Sequence, residues 1–579
     1  MAAIDEPSRG NGAGFGTAGD RTFRTRIGAR LTTKERAERA GLSVWKFEEL
    51  ERSKEQSGDA AWPARGSAGM ATDLLPKNSG EIAARTPAAD VAAAAAVAAE
   101  EQAASNAGGG SMLVLGSIAL LVIIRFFSEV VRILPGFTNF IDIPIFGMIM
   151  YAGALRPAVS DEARKLSPAL GLAAFAFIVI CAISSFANFA RVELAPALVF
   201  VYGFLGPVAV FYSVYKLWPA GSAMRMSRML VALGVLQLAI AFLLDLPRWF
   251  ADPGRNPDLF SGTFGESPYQ MVFFLLVIVG LLGGIFTFEK RRSIARLTPV
   301  LLVAIFVVTF LAQYRALLLT MALTIILLAF LLARQSARGV VGATLALVAL
   351  VGTLVYAAQY IPTFKFQATI QDSGGDPTFY LKQRLKTIDP VEQLFGDTPG
   401  YTIIGTGPGT FSSRAWRTFA VTPDSTTDVT NKYTQKLTGG RPYHTDVSDK
   451  YLLPELRTAA VISGSHAITS PFWSYLSLIA EVGVPGFALI VGIYVWAFMR
   501  SLKMARIAIR RAEPGDPLPA LLCASLVAFF ALLQMAALDN WLEVTRITFI
   551  TWMLFAVVTK EFNARGLDDD GPDQAVLAT

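Results

Sequence analysis

What most constrains this chain is a series of apolar runs whose connections sort by charge. A helix of about 20 apolar residues crosses a hydrocarbon core of about 30 Å. Twelve such spans can be drawn, at 112–134, 138–155, 168–190, 195–218, 227–247, 269–288, 294–312, 316–333, 338–359, 472–499, 518–538 and 545–560. Every second connection is rich in Lys and Arg. One side carries Arg156, Arg164 and Lys165; Lys216, Arg225 and Arg228; Lys290, Arg291, Arg292 and Arg296; Arg334 and Arg338; and Arg500, Lys503, Arg506, Arg510 and Arg511. The other side is poorer, with Arg132, Arg191, Arg248, Arg255, Arg315 and Arg546.

Basic connections stay in the cytoplasm. Both termini then lie there too, and the long polar segment from about Tyr360 to Pro471 falls on the opposite, outer side. The expected fold class is all-α: a polytopic membrane helix bundle of about 12 transmembrane helices in a cell inner membrane. One large outer loop domain separates helices 9 and 10.

Composition supports this reading. The chain is 53% hydrophobic and only 17% charged, with a mean hydropathy of +0.47, too apolar for a soluble protein of 579 residues. The net charge of +6 resides largely in the inner loops, so it reflects topology and calls for no nucleic-acid partner. The only cysteines, Cys181 and Cys523, fall inside spans, which argues against a disulfide framework or a thiolate metal site. Two histidines, His444 and His466, give no zinc spacing. No metal and no cofactor are expected.

The domain reading is a mostly disordered cytoplasmic tail over 1–110, helices 1–9 over 111–360, the outer loop domain over 361–470, helices 10–12 over 471–560, and a cytoplasmic tail over 561–579. The first of these is rich in Ala, Gly and mixed charge. No charged start followed by an apolar core precedes Met112, which argues against a cleavable signal. The Pro- and Gly-dense segment 248–268 reads as a loop over the bundle mouth. An amphipathic helix is expected over Tyr380–Phe395, and a tight turn at Gly405–Gly409 that packs the outer segment onto the bundle. Lacking a following Lys-Ser/Thr, that turn is not a P-loop. The tenth span is expected to start with Ser470 as N-cap and Pro471 at the first helical position, and to kink at Gly483, Pro485 and Gly486. Arg125 and Glu129, four apart in the first span, are placed to pair on one helix face.

Four segments, in order, resemble the O-antigen ligase and polysaccharide polymerase superfamily of polytopic membrane glycosyltransferases. They are Phe260-Ser-Gly-Thr-Phe-Gly-Glu-Ser-Pro268; Arg315 within Gln313-Tyr-Arg-Ala-Leu-Leu; Arg384 followed by Ile404-Gly-Thr-Gly-Pro-Gly-Thr-Phe411; and Ser470-Pro-Phe-Trp-Ser-Tyr-Leu-Ser-Leu-Ile-Ala-Glu-Val-Gly-Val-Pro-Gly486. The resemblance runs from about 112 to 560 and implies metal-independent transfer of a glycan from an undecaprenyl-pyrophosphate carrier to a sugar hydroxyl at the outer face. The acceptor would be a lipid-A core sugar or a growing polysaccharide.

Arginine suits a pyrophosphate leaving group because it stays protonated and binds phosphate oxygens bidentately. The resemblance points to Arg315, Arg255 and Arg384 for that task, with Arg248 competing for the place of Arg255. A sugar hydroxyl benefits from a general base. The family places a histidine about nine residues before the glutamate of its tenth span; here that position is Phe472, and His466 lies six residues further upstream. His466 and Glu481 are therefore the catalytic candidates, with His444, Asp446 and Asp449 as alternatives for the base. A transporter or flippase for an amphipathic substrate, and a non-catalytic scaffold of a polysaccharide-export complex, are the competing functions.

Overall fold

The computed structural model describes residues 109–134, 140–156, 168–252, 259–265, 267–288, 292–312, 315–332, 388–420, 443–454 and 473–567, with single residues 348, 352 and 385; the side chains of 292–296 and 315–318 are excepted. Among the described residues every regular element is helical. Seven helices are long and apolar enough to cross a membrane: α1 (Gly109–Val130), α3 (Pro168–Ala187), α4 (Leu194–Leu217), α5 (Ala223–Ala251), α6 (Pro268–Phe288), α12 (Ser474–Arg510) and α13 (Leu518–Ala536). Helices stand at three further expected spans: α2 (Asp142–Leu155), α7 (Arg292–Leu311) and α8 (Arg315–Leu332). The last expected span coincides with α14 (Thr545–Ala564), a helix whose apolar run is broken by Arg546, Lys560 and Glu561. The span drawn at 338–359, apart from Val348 and Gly352, and the tail over 1–108 lie outside the described residues.

Small residues decide how closely the central helices approach. Gly280 and Gly284 of α6 face α13, where an added Cβ would lie 2.9 Å from the Cys523 carbonyl and 2.5 Å from Ala520 Cα. Such small-residue stripes let membrane helices pack backbone to backbone. The helix α13 is buried along nearly its whole length, with Leu521, Leu522, Cys523, Phe529 and Leu532 all closed to solvent. Against it and α12 sits an aromatic cluster: Trp552 meets Phe529 at 5.4 Å and Tyr494 at 5.5 Å, both edge to face. By contrast, α3 shows Leu172, Phe175, Ile183 and Phe186 on its outside, the composition of a helix that faces lipid.

Polar latches close the bundle at both ends. At one, the buried Glu561 carboxylate accepts Trp218 Nε1–H at 2.9 Å and the N–H groups of Gly221 and Ser222 at 2.9 and 2.8 Å, fixing the α4–α5 turn. The opposite end, which charge sorting assigns to the outer side, is the richer one. There residues 259–265 of the segment expected to lie over the mouth instead enter the bundle. Phe260, Thr263 and Phe264 are fully buried; Thr263 Oγ1 donates to the Val122 carbonyl of α1 at 2.7 Å and Thr263 N–H to Gln237 of α5 at 2.9 Å. Asp245 accepts the Gly262 N–H at 2.8 Å. The reason is composition: two phenylalanines outweigh the loop-forming glycines, and neighbouring helices supply acceptors for the turn.

Two further boundaries differ from expectation. The described part of the helix drawn over Tyr380–Phe395 is α9 (Asp389–Asp397), with Pro390 in its first turn. Trp473 is the extended residue at the start of α12, so the helix starts after Ser470 and Pro471; these two lie outside the described residues. At its other end α12 runs eleven residues past the drawn limit of 499. Ser501, Met504, Ala505, Ala508 and Ile509 bury one face, while Lys503, Arg506 and Arg510 stay exposed.

Candidate functional site

The end that charge sorting assigns to the outer side is organised around one interruption in α12. Gly483 leaves helical geometry (φ +70°, ψ 178°), and Pro485 has no N–H to give the Glu481 carbonyl four residues back. Two carbonyls are thereby freed, and a loop takes both. Following the short helix α10 (Tyr401–Ile404), Thr406 N–H donates to the Ala480 carbonyl at 2.9 Å and Gly407 N–H to that of Glu481 at 3.0 Å, which also accepts Ser184 Oγ–H at 3.1 Å. Loop and kink pack so tightly that an added Cβ at Gly405 (φ +77°) would strike the Glu481 carbonyl, and one at Gly483 would strike that of Ile403. The expected packing turn is therefore present, and only glycine fits at these two places.

The Glu481 side chain completes the joint. Wholly closed to solvent, it accepts Gly409 N–H at 2.5 Å on one oxygen and Phe411, Ser412 and Ser413 N–H at 3.0, 2.9 and 2.8 Å on the other. Four backbone donors fill the carboxylate. Its geometry is that of a residue that holds a loop, with no face turned to a sugar.

The held loop leads straight into α11 (Arg414–Phe419), where Ser413 accepts Trp416 N–H at 3.2 Å as N-cap. Arg414 N–H donates to Glu543 Oε2 at 2.6 Å, from the turn just before α14. The Arg414 side chain keeps solvent access although protein surrounds it, the condition of a group lining a recess. It hydrogen-bonds Tyr269 at the start of α6, close to Glu543 and Asp539. Burial works to lower its pKa, but these three neighbours outweigh burial and hold the guanidinium above its ordinary value. Burial first, then the nearby Glu481, pushes the Glu543 carboxyl well above the usual carboxylate range.

Two more arginines share this neighbourhood. Arg546, at the start of α14, lies within electrostatic range of Arg125, Arg414, Asp142 and Glu129. Arg125 bonds Glu129 through Nε at 2.7 Å, as the four-residue spacing predicts, and also Ser267 before α6. Glu129 sits in a π-helical turn, Phe126–Val130, that ends α1 and is followed by Arg132 in the left-handed region (φ 58°). Asp142 accepts Thr545 Oγ1–H at 2.6 Å and Tyr202 O–H at 3.2 Å. Arginines from α1 and α11 thus meet at the α6 N-terminus, with Arg546 of α14 within electrostatic range of both.

A fourth arginine is a latch. Arg191, between α3 and α4, grips Asp446 with two bonds of 2.6 and 2.9 Å and donates to Tyr401 and Asn188, each at 2.7 Å. His444 meets Asp449 at 3.1 Å on the surface nearby.

Of the residues expected to carry the chemistry, Glu481 is described and serves the loop. Arg315 begins α8, with its side chain outside the description. Arg255, Arg384 and His466 lie outside the described residues. Sequence reasoning missed Arg414 and Arg546, and placed Arg125 in a structural pair alone. A signal existed for Arg414: it stands five residues after Gly409, three beyond the Gly-rich segment that ends at Phe411. The chain matches no family model and no curated protein.

Proposed function

We propose that this chain transfers a glycan from an undecaprenyl-pyrophosphate carrier to a sugar hydroxyl at the outer face of a cell inner membrane. In this reading it spans the membrane about twelve times with both termini cytoplasmic, and residues 361–470 form the outer loop domain. The observation that carries the reading is the gathering of Arg125 and Arg414 at Tyr269, with Arg546 within electrostatic range of both, at the end of the bundle that charge sorting assigns to the outer side.

The chemistry follows from the charges. The bond between the sugar's anomeric carbon and the pyrophosphate oxygen breaks, its electron pair staying on that oxygen. The acceptor oxygen bonds to the anomeric carbon and gives its proton to a base. Guanidinium groups fixed where the leaving charge grows stabilise the transition state without reorganising. Arg414 has the most solvent access of the three and is assigned to the pyrophosphate, with Arg125 and Arg546 behind it. Arg315, Arg255 and Arg384 remain candidates for further phosphate contacts. His466, in the stretch that leads into α12, is the proposed base, and Glu481 the residue that positions the loop. The acceptor is a lipid-A core sugar or the end of a growing polysaccharide.

The test is binding of undecaprenyl pyrophosphate to the purified chain in nanodiscs. Saturable binding that is stronger than for undecaprenyl monophosphate and weakened by Arg414→Ala supports the reading. Equal binding by both lipids, or by wild type and variant, contradicts it.

A further inference from the structure

The residue that aims Arg414 is not beside it in the recess but on the far side of the loop. Arg414 follows directly on four residues, 410–413, whose course is set almost wholly by one side chain. Phe411, Ser412 and Ser413 give their N–H groups to a single Glu481 oxygen, and Gly409 gives its own to the other. Side-chain bonds add to this: Ser412 Oγ meets Ser477 Oγ at 3.1 Å, and Thr445 Oγ1 donates to the Thr410 carbonyl at 2.8 Å. One residue later the Arg414 N–H is taken by Glu543 at 2.6 Å. Two buried carboxyl groups, from α12 and from the turn before α14, thus hold the peptide units on either side of the Arg414 junction.

We infer that Glu481 is a positioning residue: it sets the direction of α11 and so places the Arg414 guanidinium at Tyr269, where it meets the carrier pyrophosphate. This rests on the function proposed above for the recess; the positioning itself does not depend on it. The physical basis is that a carboxylate offers only acceptor oxygens, whereas a carboxamide turns an NH2 group towards donors it cannot satisfy. Glu481→Gln keeps shape and volume but opposes N–H to N–H, so the loop must shift. Arg414 then moves with it, although no atom of Glu481 reaches the recess.

Two measurements separate the inference from the functional reading. The first follows position alone. Arg414→Cys places a thiol at the recess; the native Cys181 and Cys523 are buried and give a low background. The modification rate by a charged methanethiosulfonate is read in the full chain with Glu481 and with Glu481→Gln. A rate change of about fivefold or more in the folded double variant is expected, since displaced side chains alter access. An unchanged rate in the folded double variant overturns the inference. If Glu481→Gln gives no folded protein, Glu481→Asp, which withdraws the carboxylate by one methylene, is read with the same two outcomes.

The second measurement is a double-mutant cycle on undecaprenyl pyrophosphate binding. Glu481→Gln is expected to weaken binding about tenfold in the presence of Arg414 and to have no further effect after Arg414→Ala, because residues that act through one another are not additive. Equal losses in both backgrounds overturn the inference. If Arg414→Ala itself leaves binding unchanged, the functional reading of the recess fails, while the thiol result still decides whether Glu481 positions α11.

Discussion

The Arg414 N–H lies 2.6 Å from Glu543 Oε2, so an arginine at the start of a six-residue helix is tied by its backbone to the turn that opens α14. Its side chain is left to the recess. A backbone anchor and a guanidinium held at Tyr269 are what a phosphate-binding arginine needs, because orientation then costs little at the moment of binding.

Arg414→Ala is expected to lower affinity for undecaprenyl pyrophosphate by roughly 10- to 100-fold, the range for a charged hydrogen bond of about 1.5–3 kcal/mol. Arg417→Ala, on the exposed side of the same helix, is expected to leave affinity within about twofold, as a screened surface charge does. Titration of each purified variant checks this.

Glu481→Ala removes the acceptor of four backbone N–H groups in a solvent-free site. At about 1–3 kcal/mol for each buried donor left unsatisfied, a loss on the order of 4 kcal/mol is expected. Thermal unfolding in detergent reads it, and a midpoint within a degree of wild type would contradict the joint described here.

Glycine substitutions grade the same joint. Gly405→Ala and Gly483→Ala combine a positive φ with a Cβ directed at a carbonyl of the opposing segment, and each is expected to cost about 2–3 kcal/mol or more. Gly396→Ala, in α9 with open space around it, is expected to be neutral or stabilising by up to about 1 kcal/mol. Parallel midpoints for the three variants check the order.

The Arg191–Asp446 latch gives a pH signature. The hydrogen bond from Arg191 is the main cause that holds the Asp446 carboxyl below its ordinary range, against partial burial. A depressed folded pKa contributes stability that is fully present above the unfolded value, about 3.9, and is lost as pH falls through the folded one. Asp446 is largely exposed, so solvent screening keeps the contribution below about 1 kcal/mol. Asp446→Asn is expected to lower the unfolding midpoint slightly at pH 7, with the difference from wild type shrinking as pH falls below the unfolded value.

The contrast between what was and was not legible in the chain is instructive. Apolar run length located seven helices of crossing length, because a helix in lipid must satisfy its backbone internally and cover it with apolar side chains. The Arg125–Glu129 pair, the packing turn at Gly405 and the kink at Pro485 were equally legible, since each depends on residues close in sequence. Segment 259–265 was misplaced because its Gly and Pro content signals a turn but not its burial; the partners that admit it, Val122, Gln237 and Asp245, come from distant helices. The arginine recess was hidden for the same reason. Arg414 has no periodic neighbours, and Arg546 reads as one more loop charge until α14 is set beside α1.

The central claim is that the arginine recess serves transfer from a lipid-linked glycan. The most direct measurement extracts surface and lipid-linked polysaccharide from cells that lack the gene and are complemented with wild type, Arg414→Ala or His466→Ala at matched protein levels. The account predicts that deletion removes a long glycan and accumulates its undecaprenyl-linked precursor, and that wild type restores the glycan while neither variant does. An unchanged glycan profile on deletion under conditions of normal expression, or full restoration by Arg414→Ala, would contradict it.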